Sequence, residues 1–164
     1  MRGSRFRAVL FDWGGTLMSE DGPADRPMVL WPAVRAIDGA EPTLAALASC
    51  CTVGVATNAT VSSRTMIEGA LARVALDRHV SHIFCYTELR VRKAEPAFWE
   101  HVLAALALPA AAVAMIGDDL EQDVLAPRAR GIASAWFRPV AHAHDRRDVP
   151  VLRTLPEVLA FVAP

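Results

Sequence analysis

Ala8-Val9-Leu10-Phe11-Asp12-Trp13-Gly14-Gly15-Thr16-Leu17 is the stretch whose reading decides the rest. Four apolar residues run without interruption and stop at a carboxylate. A short run apolar on both faces reads as a strand buried in a parallel sheet. Gly14-Gly15 then forces a turn that residues with a Cβ enter poorly. The chain therefore leaves a buried strand, presents Asp12 and bends sharply.

Working outward, the same pattern recurs. Thr52–Thr57 and residues 83–86, 112–116 and 132–137 read as further strands. Residues 41–49, a stretch capped by Ser62, and residues 97–106, 121–130 and 155–162 carry apolar positions at helical spacing. Gly131 is placed to end the fourth of these helices. Residues 19–27 and 138–150 read as loops. Within the second loop, His142, His144 and Asp145 read as solvated rather than metal-binding.

Strands alternating with helices predict an α/β, three-layer Rossmann-like sandwich with a central, mostly parallel sheet. A chain of 164 residues is expected to form one domain, residues 1–164. In such sheets ligands gather at the carboxyl ends of the strands. Asp12, Thr57 and Asp118 each sit just past such an end, so they are expected to converge.

Composition narrows the function classes. Net charge is −1, which carries no nucleic-acid footprint. No apolar run approaches the roughly 20 residues that span a bilayer. The residues before Asp12 do not resemble a signal peptide, so a cytoplasmic location is expected. Cys50, Cys51 and Cys85 lack framework spacing and read as buried reduced thiols, not as a redox pair. Lys93 is the only lysine among many arginines.

The polar residues at the strand ends suggest phosphate chemistry. Asp12 suits a nucleophile or metal ligand. Gly14 and Gly15 permit close approach of backbone N–H groups to a phosphate. Thr57 and Asn58 supply polar groups, and Lys93 a compact positive charge. Asp118, Asp119 and Asp123 repel one another unless a cation sits among them, and hard oxygen ligands suit Mg²⁺.

These residues resemble the four motifs of the haloacid dehalogenase (HAD) superfamily, most of whose members are phosphatases. Phe11 to Leu17 resembles the first motif and Val55-Ala56-Thr57-Asn58 the second. Lys93 with Glu95-Pro96-Ala97-Phe98 resembles the third, and Gly117-Asp118-Asp119-Leu120-Glu121-Gln122-Asp123-Val124 the fourth. The resemblance implies a Mg²⁺-dependent phosphohydrolase in which Asp12 forms an aspartyl-phosphate. Thr57 and Lys93 would hold phosphoryl oxygens, with Gly15 and Asn58 beside them. Asp12, the Gly14 carbonyl, Asp118 and Asp119 would surround the metal, with Asp123 behind or bound through water.

One position departs from that pattern. Phosphatases of the family usually carry a second aspartate two residues after the nucleophile, as general acid and base. Here it is Gly14, and losing such a group typically costs about 10²–10⁴-fold in rate. The alternative is therefore a catalytically weak or inactive HAD-like domain that binds phosphate or a partner. Phosphonoacetaldehyde hydrolase has a similar first motif, but its chemistry needs a second lysine, and this chain has none.

About 40 residues separate Thr16 from Thr57 and about 35 separate Asn58 from Lys93. Ordinary sheet elements fill both gaps, so no sizeable cap domain is expected. The open site that results suits a bulky or macromolecular phosphorylated substrate, or closure by a second copy in a homodimer.

Overall fold

The computed structural model describes residues 4–140 and 148–164. The residues His142, His144 and Asp145 lie outside them. Among the described residues six parallel strands form one sheet: β1 (Ala8–Phe11), β2 (Thr52–Thr57), β3 (His82–Cys85), β4 (Val113–Gly117), β5 (Ala133–Phe137) and β6 (Val151–Leu152). Their order is β3-β2-β1-β4-β5-β6, which puts β1 at the centre. Leu10 lies level with Gly54 on one side and Met115 on the other. The Rossmann-like sandwich is thus present, and among the described residues no cap domain interrupts it.

All four residues of β1 are buried, because both faces of the sheet are covered. Val9, Phe11, Val53, Val55 and Ile116 point to one face. There they pack with Leu44 and Leu47 of α1 (Ala40–Ala48), Ile67, Ala70 and Leu71 of α2 (Arg64–Ala72), and Val158. Leu10, Ala56 and Met115 point to the other face. After β3 comes a single helical turn, α3 (Tyr86–Leu89), then α4 (Pro96–Leu106), whose Phe98, Trp99 and Val102 fill that second core. Burying each such side chain contributes about 1.5–3 kcal/mol, so the two cores fix the strand ends between them.

Several boundaries differ from expectation for local reasons. The cap of α2 is Ser63, whose hydroxyl accepts from the Met66 N–H at 3.4 Å. Ser62 is buried, and its carbonyl accepts from the Thr87 hydroxyl at 2.9 Å. The helix expected over residues 121–130 is a π-helical turn, Leu120–Leu125, running into α5 (Ala126–Arg128). Pro127 explains this: it has no N–H for the carbonyl of Asp123, and its ring crowds that carbonyl. The turn widens, and the Ala126 N–H bonds back to Glu121. Gly131 follows at φ 81°, in the left-handed conformation that glycine favours. The loop expected over residues 138–150 gives way at its end to β6, which pairs with Trp136 and Phe137. Two residues are too short to show a strand period. The last helix, α6 (Glu157–Phe161), returns to the first core through Val158.

No helix among the described residues is long and apolar enough to cross a membrane. Cys85 is buried as expected, but Cys50 is exposed and Cys51 half-buried; all three are free thiols. Burial and the neighbouring Cys50 push Cys51 up to about 12, which leaves it poorly suited to thiolate chemistry.

Candidate active site

The carboxyl ends of β1, β2 and β4 open on a cleft of about 410 Å³. Asp12, Thr57, Lys93, Asp118 and Asp123 all line it. The convergence follows from parallel pairing: Phe11 is level with Val55 and with Ile116, so the residues beyond these strands meet at one edge. Asp12 is anchored by its N–H to the Ile116 carbonyl at 2.8 Å.

Lys93 is the centre of the site. Its ammonium donates to Asp12 Oδ1 at 2.5 Å and pairs with Asp123 Oδ1 at 2.6 Å. It is 3 % exposed. Burial lowers its pKa, but Asp12 and Asp123 outweigh burial and hold it above the ordinary value. Its carbonyl accepts from Trp99 Nε1 at 2.7 Å, and its N–H donates to Asn58 Oδ1 at 3.0 Å. The lysine is therefore fixed from both its backbone and its head.

One carboxylate oxygen each from Asp12, Asp118 and Asp123 lie within 4.8 Å of one another. Three negative charges face one ammonium, and a divalent cation would balance the remainder. Burial, then the Asp12 charge, push Asp118 up to about 6. Burial pushes Asp123 up to about 7, against the pull of Lys93. Burial is the first cause of both shifts, and the all-oxygen donor set fits Mg²⁺. Asp123 Oδ2 accepts from the Asp119 N–H at 3.1 Å, while its buried Oδ1 faces the Lys93 ammonium at 2.6 Å without a hydrogen bond among the described residues.

Three expected positions have other work. Asp119 turns away from the cluster and caps the π-helical turn, accepting from the Gln122 N–H and side-chain amide, each at 2.9 Å. Burial would raise its pKa, but these bonds outweigh it and hold the carboxylate below its ordinary range. A cap satisfies backbone donors that would otherwise stay unpaired, and the Asp119 carboxylate is taken up by that role. Asn58 lines the cleft and bridges the Lys93 backbone and the Gln122 side chain, so its amide braces three segments. Gly15 adopts φ 74° and gives its N–H to the Met18 carbonyl at 2.8 Å, which closes the turn instead of offering a phosphate donor.

Thr16 and Trp136 were not foreseen as residues of the site. Thr16, fully buried, donates to Asp118 Oδ1 at 3.3 Å. Trp136 Nε1 donates to the Asp118 carbonyl at 2.8 Å. A buried indole N–H needs a partner, and that need was the available signal. The loop after β1 brings Glu20, Arg26, Met28 and Trp31 to the rim of the cleft. Burial, then the Asp12 charge, raise the Glu20 pKa, with Lys93 opposing. The Trp13 Nε1 at the cleft wall is buried without a hydrogen-bond partner among the described residues.

Sheet order, strand-end aspartates and a buried lysine define a HAD-type hydrolase architecture. A family model for the haloacid dehalogenase-like hydrolases matches residues 24–131, and the chain belongs to that family. That match begins after Asp12, so the placement of the first motif rests on the geometry above. No curated protein matches the sequence. Solved structures share the fold at low identity. An uncharacterised protein from Listeria monocytogenes serotype 4b aligns with TM-score 0.82 and 19 % identity, covering 95 % of this chain and 96 % of that one. A 2-haloacid dehalogenase from Pseudomonas syringae pv. Tomato DC3000 aligns with TM-score 0.75 and 19 % identity over 96 % and 100 %. A HAD phosphatase from Thermococcus onnurineus aligns with TM-score 0.73 and 16 % identity over 95 % and 97 %.

Proposed function

We propose that this protein is a Mg²⁺-dependent phosphohydrolase that works through an aspartyl-phosphate on Asp12. The observation that carries the reading is the buried Lys93 ammonium held between Asp12 and Asp123, with the Asp118 carboxylate beside them. Asp12 and Asp118 would hold the metal, with Asp123 behind. Bound there, Mg²⁺ supplies charge neutralisation for phosphoryl oxygens. The chain's own residues do the positioning. Lys93 orients the attacking oxygen of Asp12 and faces the incoming phosphoryl group, while Thr57, whose hydroxyl accepts from the Ala59 N–H at 3.2 Å, lies at the end of the adjacent strand. Phosphoryl transfer depends mainly on such positioning and charge. Met28, Trp31 and Val61 at the cleft wall suit a phosphate ester with a sizeable apolar group. The free thiols suit a reducing cytoplasm.

The test is Mg²⁺-dependent hydrolysis of an activated aryl phosphate by the wild type and by Asp12→Asn. Turnover that Asp12→Asn abolishes supports the reading. No turnover by folded wild type in saturating Mg²⁺ would refute it. A phosphate- or partner-binding domain would then stand in its place, the reading that Gly14 favours.

A further inference from the structure

At Gly14 the family's phosphatases place a carboxylate, and the glycine looks like a lost function. The space around it says otherwise. A Cβ built on Gly14 would lie 2.2 Å from Glu20 Oε1, 2.7 Å from its carboxyl carbon and 3.0 Å from its Cγ. The volume that a side chain at position 14 would enter is already filled by the head of Glu20. An aspartate at 14 and the present Glu20 conformation exclude each other.

Glu20 is held there by its neighbours. Leu17 and Met18 both donate N–H bonds to the Trp13 carbonyl, at 3.0 and 2.9 Å. Ser19 N–H bonds to the Arg35 carbonyl at 2.9 Å, and Asp21 on the other side pairs with the Arg35 guanidinium. The backbone is thus tied immediately before Glu20, the Asp21 side chain is paired just after it, and Glu20 lines the same cleft as Asp12. Among the described residues that carboxylate has no hydrogen-bond or ion-pair partner, unlike its neighbour Asp21.

We propose that Glu20 is the general acid and base of this site, supplied from the loop after β1 in place of a side chain at Gly14. The assignment rests on the phosphohydrolase reading above. In the first half-reaction an Asp12 oxygen bonds to phosphorus. The bond from phosphorus to the ester oxygen breaks with its electron pair on that oxygen, and the Glu20 carboxyl gives it a proton. In the second, the Glu20 carboxylate takes a proton from water whose oxygen bonds to phosphorus. The Asp12–phosphorus bond breaks, phosphate leaves, and Glu20 is again protonated.

A proton donor matters most for poor leaving groups, so the experiment compares 4-nitrophenyl phosphate with a simple alkyl phosphate. Glu20→Gln is expected to lose about 10²–10⁴-fold in kcat/KM on the alkyl ester and less than about tenfold on the aryl ester. Gly14→Asp combined with Glu20→Ala is expected to regain at least about tenfold on the alkyl ester over Glu20→Ala alone, because the acid is restored from the other backbone position. Glu20 is exposed, so these variants should fold, which thermal melts verify. Equal losses on both esters, or no recovery in the double variant, would overturn the assignment and leave Asp12-dependent turnover standing. Wild type active on the aryl ester but inert towards the alkyl ester would also overturn it. Wild type inert towards both would remove the phosphohydrolase reading itself, and this assignment with it.

Discussion

Replacing Lys93 by methionine isolates what the buried ammonium contributes to the fold. In the native site it sits 2.5 Å from Asp12 and 2.6 Å from Asp123, and none of the three groups is more than 8 % exposed. Methionine keeps the stem and removes the charge, leaving two carboxylates facing each other without a counter-ion. Breaking a buried pair by removing one partner costs about 3–5 kcal/mol. A domain of this size loses about 2–4 °C in Tm per kcal/mol, so Lys93→Met should melt about 6–20 °C below wild type. The assay is thermal unfolding followed by circular dichroism in EDTA, which removes any metal that would replace the lost charge. Adding Asp123→Asn should restore about 1 kcal/mol or more, since it removes one of the stranded charges. A fall of less than about 2 °C in the single variant would show that the carboxylates shed their charge at little cost, and the reasoning fails.

Mg²⁺ at about a hundred times its Kd should stabilise the protein by about 2.7 kcal/mol, and Asp118→Asn should abolish the shift in a melting titration. Without metal, stability should depend on pH through Asp118 and Asp123, whose carboxyls lie near 6 and 7 against an ordinary 3.8. The native state then binds more protons than the unfolded chain, so stability should rise as pH falls from 8 to 5 and be lost on the return. Melts in EDTA at the two pH values check this, and Asp118→Asn should flatten the slope. Gly117→Ala would put a Cβ 2.3 Å from the Asp123 carboxyl carbon; it should cost about 1–3 kcal/mol in urea unfolding. Ser63→Ala should cost about 1 kcal/mol by loss of the α2 cap, and Ser62→Ala less, because Ser62 meets its partner through a backbone carbonyl.

Much of the site was legible because chemistry and strand ends coincide. Asp12 and Asp118 are polar residues next to apolar runs, and a parallel sheet brings such positions together whatever the details between them, while Lys93 stands out as the only lysine. What stayed hidden depended on competition for hydrogen bonds. Asp119 and Asp123 look alike in sequence, yet one caps a turn and the other anchors a lysine, because only Asp119 lies at the cap position just before the π-helical segment. Asn58 and Gly15 carry donors suited to phosphate, but nearer backbone acceptors and side chains take them. Glu20 was hardest to place, since its position depends on how loop residues 17–21 fold back on Trp13 and Arg35 rather than on any period in the chain.

The burial of Lys93 also determines how the protein meets amine chemistry. No other side-chain amine occurs in these 164 residues. Amine-directed reagents, lysine-modifying enzymes and lysine-specific proteases therefore find no side-chain amine on the native surface, and gain one only when the sheet edge opens. Cleavage after Lys93 is thus a built-in reporter: its rate counts excursions that expose the active site, with the chain's many arginines leaving the signal undisturbed.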